Sequence, residues 1–162
     1  RPGTGELNFS RTRDPETGVF DSIWSLNLKK KESEPKQWVN GPVSSFFWSP
    51  NGEKLAVIRP APSGSARYAV NVVDSNGTFL GATEPFTPST EMQTMFAFFD
   101  QYELSHRLWS PDSGNLLVSG RLHTEGPAPA FFGTPEDSIF SWTPKKFSPF
   151  ERIAAGRFAC YA

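Results

Sequence analysis

The sequence predicts an all-β chain of antiparallel β-propeller blades, about three of them in an incomplete propeller, with one short inserted helix. Three observations predict it. Short aromatic and β-branched stretches alternate with Gly, Pro, Asn, Asp and Ser punctuation, and the 162 residues include 15 Pro, 13 Gly, 15 Phe and 5 Trp, a pattern of many short strands. A tight-turn motif, Trp48-Ser49-Pro50-Asn51-Gly52, returns 61 residues later as Trp109-Ser110-Pro111-Asp112-Ser113-Gly114. A second segment, Asp21-Ser22-Ile23-Trp24-Ser25 followed by Lys29-Lys30, returns at an offset of 116 as Asp137-Ser138-Ile139-Phe140-Ser141 followed by Lys145-Lys146. That offset is close to two spacings of the first repeat. One more unit is therefore expected between, and Tyr68-Ala69-Val70-Asn71-Val72-Val73-Asp74 fills the place.

Each turn motif reads as a hairpin corner. Proline fixes φ at the first turn position, Asn51 or Asp112 closes an Asx-type turn, and Gly52 and Gly114 suit a left-handed position leading into the next strand. The segments then fall into order. Residues 1–42 form a partial blade, with strands near 7–11, 22–28 and 37–39. Residues 43–88 form a blade, with a strand ending at Trp48 and others near 54–60, 67–74 and 78–84. Residues 107–155 form another, with strands near 108–109, 115–121, 137–143 and 150–154, and 156–162 begins a further one. Four short antiparallel strands per unit is the propeller blade. Between the blades, 89–106 breaks the pattern. Ser89 is placed to cap a helix, and Met92, Met95, Phe96, Phe99 and Tyr102 recur at three- and four-residue steps. This helix is expected on the rim or across one face.

The motifs at Trp48, Ser49, Pro50 and Gly52 and at Trp109, Ser110, Pro111, Asp112 and Gly114 resemble the WSPDG repeat of the TolB-like propeller family. Two clear repeats and three partial ones extend the resemblance over most of the chain. Asn51 stands where the repeat has Asp, and Ser113 intrudes into the second copy. The resemblance implies a periplasmic or extracellular location and a protein partner, since TolB itself binds a lipoprotein. Similar repeats occur in propeller domains of prolyl-oligopeptidase-like peptidases, which implies an alternative: an accessory domain of a larger hydrolase.

Composition excludes several classes. A net charge of −1 supplies no field for nucleic acid or an anionic membrane. Cys160 is the single cysteine, so no intramolecular disulfide forms. No apolar run approaches the roughly 20 residues of a membrane span. No leader sequence is visible ahead of the folded pattern at Arg1-Pro2-Gly3. Lys29-Lys30-Lys31 is followed at once by Glu32, Glu34 and Pro35 and reads as a solvated hairpin tip.

Chemistry-bearing patterns are thin. There is no Gly-x-Ser-x-Gly elbow. Asp100, Ser105 and His106 are close in sequence, but adjacent Ser105 and His106 would point apart on a helix, so both read as its end, with His106 favoured by the C-terminal dipole. His106 and His123 lack metal-ligand spacing. Asp14-Pro15-Glu16-Thr17-Gly18 and Asp74-Ser75-Asn76-Gly77 read as turns rather than calcium loops. The sequons at Asn8 and Asn76 read as turn residues too. Trp24, Phe46, Phe47, Trp48 and Trp109 read as blade-to-blade core.

The expected function is a non-catalytic scaffold for protein–protein contact, with no cofactor and no metal. The binding candidates are Phe131 and Phe132, on an irregular Gly/Pro loop, and Phe99 and Tyr102 on the helix. Propellers close with about four to eight blades. Three units would expose raw faces and edges, so the chain is expected either to belong to a longer propeller or to self-associate.

Overall fold

The computed structural model describes residues 1–61, 67–102, 105–122, 136–145 and 148–161. In chain order the strands are β1 (Glu6–Phe9), β2 (Phe20–Asn27), β3 (Lys36–Val43), β4 (Ser45–Trp48), β5 (Lys54–Pro60), β6 (Tyr68–Asp74), β7 (Phe79–Ala82), β8 (Phe86–Pro88), β9 (Leu116–Leu122), β10 (Ser138–Trp142) and β11 (Glu151–Ala155). Two helices, α1 (Thr90–Ala97) and α2 (Phe99–Tyr102), lie between β8 and β9. All strand pairings are antiparallel. The strands fall close to where the repeats place them, with one addition, β8, and one loss: the strand expected near 108–109 is reduced to a single bridge between Trp109 and Leu116.

Strand β5 shows why the units stack. Leu55, Ala56, Val57 and Ile58 are all fully buried, a continuous apolar run rather than an alternating one. Such a run marks a strand covered on both faces. Alternate side chains serve two cores. Leu55 and Val57 join Phe46, Trp48, Ile23, Val39 and Val43 on the side of β1–β3. Ala56 and Ile58 join Phe47, Val70, Val72, Phe86, Trp109 and Val118 on the other side. The strand period of two thus divides one short sequence between two layers.

Polar contacts lock the layers. The Trp48 indole donates to Asn8 Oδ1 in β1 at 3.0 Å, so Asn8 is a strand residue rather than the turn residue expected. The Trp109 indole donates to the Phe47 carbonyl in β4 at 2.9 Å. In each motif the tryptophan therefore reaches back to an earlier unit. Arg59 on β5 donates to the carbonyls of Asn40 and Pro42 on β3, at 2.7 and 3.1 Å. Burial lowers the Arg59 guanidinium below its ordinary value.

The two turn motifs share a geometry with one difference. Ser49 Oγ accepts from Lys54 N at 2.9 Å, and Ser110 Oγ accepts from Asn115 N at 2.9 Å. Gly52 takes the left-handed position with φ +69°, but in the second copy Ser113 takes it, with φ +61°. The expectation placed Gly114 there; the inserted residue shifts the glycine one position too far. Ser113 is retained at that cost in contacts with the first turn: its Oγ accepts from Asn51 N at 3.2 Å and its carbonyl accepts from Lys54 Nζ at 2.9 Å.

Strand β8 joins the second and third units. Phe86 pairs with Tyr68 of β6, and Phe86, Thr87 and Pro88 pair with Leu122, Arg121 and Gly120 of β9. One eight-stranded sheet therefore runs through both units, beside a separate sheet of β1, β2 and β3. Among the described residues the units do not close a ring: β1 pairs only with β2, and β11 only with β10. Residues 157–161, expected as a strand of a further unit, instead lie back along the chain, with a single bridge from Tyr161 to Arg107. No helix among the described residues is long and apolar enough to cross a membrane.

Among the described residues, three turns carry a carboxylate as their cap. Asp14 is held below its ordinary value near 3.8 by the N–H groups of Thr17 and Glu16, and Asp74 by those of Thr78 and Asn76. Asp112 is lowered by the Ser110 hydroxyl first and the Gly114 N–H next. A carboxyl whose folded value lies below its unfolded value contributes stability above the unfolded value. That contribution is lost as pH falls through the folded value. Thermal midpoints are therefore expected to hold above about pH 5 and to fall progressively below about pH 4. The triple variant D14N/D74N/D112N should start lower at neutral pH and show a flatter acid limb. An acid limb identical to the parent's would contradict this assignment.

Candidate functional site

The helical insert and the C-terminal segment flank an open cavity, a groove of about 280 Å3, lined by Glu91, Thr94, Met95, Tyr102, His106 and Phe158. Its walls are set by local signals. Ser89 caps α1, its Oγ accepting from Met92 N at 3.2 Å, and this fixes the first turn on which Glu91 lies. Met92, Met95 and Phe96 bury the inner face of α1. The helix breaks at Phe98, with φ −122° and ψ 36°, so the single helix expected over 89–106 is two pieces. The break turns Phe99 toward Phe20, Phe46 and Phe47, with ring centroids 5.0–6.3 Å apart, and brings Tyr102 to the cavity.

The far wall is held by backbone contacts. The hydroxyls of Ser89 and Ser119 both donate to the Arg157 carbonyl, the second at 2.7 Å, and Tyr161 N donates to the Arg107 carbonyl at 2.8 Å. Clamped near both ends, the segment presents Phe158 to His106, centroids 5.5 Å apart. Tyr102 meets the other side of the group, 5.0 Å from His106 with the ring planes at 84°. Glu91 has one ionic neighbour, Arg157, at 3.9 Å, and both side chains are substantially exposed.

Ser105 and His106 were expected to diverge on a helix. They lie instead in a turn beyond α2, where both backbone N–H groups donate to the Tyr102 carbonyl at 3.0 and 2.8 Å. Off the helix the side chains converge, and Ser105 Oγ lies 2.7 Å from His106 Nδ1. Asp100 is exposed on α2 and makes no hydrogen bond or ion pair to either. Among the described residues, the serine–histidine pair has no carboxylate hydrogen-bonded to its imidazole, the orienting acid that a hydrolytic triad requires.

Of the sequence candidates, Tyr102 lines this cavity, and Phe99 is half-buried between the two cores. Phe131 and Phe132 lie outside the described residues. The motif residues Trp48, Ser49, Trp109 and Ser110 are buried at the junctions between units. Glu91 and Phe158 were not singled out from the sequence. Glu91 reads as an ordinary first-turn acid, and Phe158 meets the helix only through the folding-back of a distant segment.

No family model and no curated protein matches the sequence. Among solved structures, an acylaminoacyl peptidase in complex with Z-Gly-Gly-Phe-chloromethyl ketone aligns with a TM-score of 0.54 and 16% identity, covering 95% of this chain and 24% of that one. A crystal structure of the tricorn protease aligns with a TM-score of 0.42 and 18% identity, covering 84% of this chain and 13% of that one. The chain thus spans 24% of the length of the peptidase it matches. At this identity the likeness to the acylaminoacyl peptidase shows the fold alone: mostly β, antiparallel and propeller-like. It also corrects the leading functional expectation. The scaffold for protein–protein contact is displaced, because the solved neighbour is part of a peptidase, and the alternative of a hydrolase propeller is the one the match favours.

Proposed function

We propose that this chain is a propeller segment of a larger hydrolase, most simply a peptidase, whose catalytic groups lie outside these residues. One observation carries the reading: 95% of the chain aligns with 24% of an acylaminoacyl peptidase at a TM-score of 0.54. The Trp48 and Trp109 motifs support a TolB-like, WSPDG-repeat propeller as the finer description. In this role the stacked units act as a rigid wall. Such a wall governs which substrates reach a catalytic domain without touching the reacting bond.

The test compares the purified 162-residue chain with the full product of its gene on peptide p-nitroanilides and acylated peptide substrates. The chain alone is expected to give no turnover, and the full product to give saturable turnover. Hydrolysis by the chain alone that is lost in Ser105→Ala would overturn the reading. So would a full gene product that encodes no further catalytic domain.

A further inference from the structure

We propose that the cavity between the helical insert and the C-terminal segment is a receptor for a quaternary or alkylated ammonium group. The inference rests on the cavity alone and does not depend on the reading of the chain as part of a hydrolase. Three rings line it, from Tyr102, His106 and Phe158. Their planes are not parallel: Tyr102 and His106 meet at 84°, and His106 and Phe158 at 58°. The rings pack on one another, with centroids 5.0 and 5.5 Å apart, and together form one aromatic wall of the groove. A cation is attracted to the faces of such rings, an alkylated ammonium among them.

The rest of the lining fits the same occupant. Met95 contributes a polarizable apolar surface, suited to N-methyl groups. Glu91 supplies a carboxylate to the lining. Its ion pair with Arg157 spans 3.9 Å between largely exposed side chains, a geometry that contributes little in water, so the carboxylate is open to a better-placed cation. A neutral apolar guest would desolvate that carboxylate without compensation. An anion would face both the carboxylate and the ring faces. A cation gains from both. The volume of about 280 Å3 sits at the lower end of small-molecule sites, roughly 300–1,000 Å3, and suits a headgroup rather than a whole cofactor.

The experiment titrates the chain with choline, with Nε-trimethyl-lysine, and with 3,3-dimethylbutan-1-ol, the uncharged carbon analogue of choline. Binding is read from the N-methyl or tert-butyl proton resonance. Both cations are expected to show saturable upfield displacement, because their methyl groups sit over ring faces. The neutral analogue should bind about tenfold or more weakly. Glu91→Gln changes a surface side chain and leaves the fold intact; it should weaken the cations about three- to fivefold and leave the neutral analogue unchanged. Tyr102→Leu should abolish the upfield displacement. Preference between the two cations assigns the source: choline indicates a small metabolite, trimethyl-lysine a modified peptide. Equal binding of choline and its neutral analogue overturns the proposal, as does the absence of saturable displacement with all three probes.

Discussion

Replacing Trp109 with alanine is expected to cost about 3–5 kcal/mol from lost packing and the cavity it leaves, with a further penalty of about 1–3 kcal/mol for an orphaned buried carbonyl. Trp109 is 1% exposed and sits in the larger core with Phe47, Leu108, Leu116 and Val118. Its indole N–H is donated to the Phe47 carbonyl, so one side chain supplies both the filling and the registration between two units. Domains of this size hold about 5–15 kcal/mol in total. The variant should therefore either lose its cooperative transition or shift its urea midpoint by about 2–4 M, given slopes of about 1–3 kcal/mol/M. Trp109→Phe keeps most of the ring but not the N–H, and it should fall between the two, separating packing from the hydrogen bond. Urea titration followed by far-ultraviolet circular dichroism reads both. A midpoint for Trp109→Ala within a few tenths molar of the parent would show that the junction is not cooperative with the rest.

That prediction rests on a motif legible in the sequence alone. The repeats located strands β4 to β7 and β9 to β11 closely because each strand is bounded by punctuation that local chemistry reads directly. What escaped was long-range or exceptional. β8 is three residues ending in Pro88, and Pro beside Ser89 reads as a turn; only the partner β9 makes it a strand. Ser113 escaped because propensity assigns a left-handed position to the nearest glycine, whereas contacts from Asn51 and Lys54 hold the serine there. Ser105 and His106 were mistaken for helix because the apolar period continues to Tyr102, and nothing local shows that the helix breaks at Phe98. The cavity was half visible. Tyr102 belongs to a recognisable periodic stripe, but Phe158 is brought to it by the carbonyl of Arg157, gripped by Ser89 and Ser119. That grip joins three separated segments, and no local pattern encodes it.

The seam that makes this grip possible yields the second large effect. Gly120 in β9 faces Pro88 of β8 on one side and Ser138 of β10 on the other. It has φ +149°, and a Cβ there would stand 2.1 Å from the Thr87 carbonyl oxygen and 2.7 Å from Pro88 Cα. Both are backbone atoms, so no side-chain rotation relieves the clash and the strands must part. Gly120→Ala is expected to cost about 2–6 kcal/mol, combining about 1–3 for overpacking with about 1–3 for the backbone conformation. Gly3→Ala is the matched control. Gly3 also has positive φ, +69°, but nothing lies within 4 Å of its would-be Cβ, so it bears the conformational cost alone, about 1 kcal/mol. The excess at Gly120 then measures how closely β8 and β9 must approach. Near-equal losses for the two variants in denaturant titration would mean that the seam opens easily. The cavity reports the same event. Ser89 follows directly on β8 and donates its backbone N–H to the Ser119 carbonyl at 3.0 Å, so parting the strands moves the cap of α1 and loosens the hold on Arg157. Displacement of the Phe158 ring resonances in Gly120→Ala, and not in Gly3→Ala, is therefore the expected sign that seam and cavity are one cooperative unit.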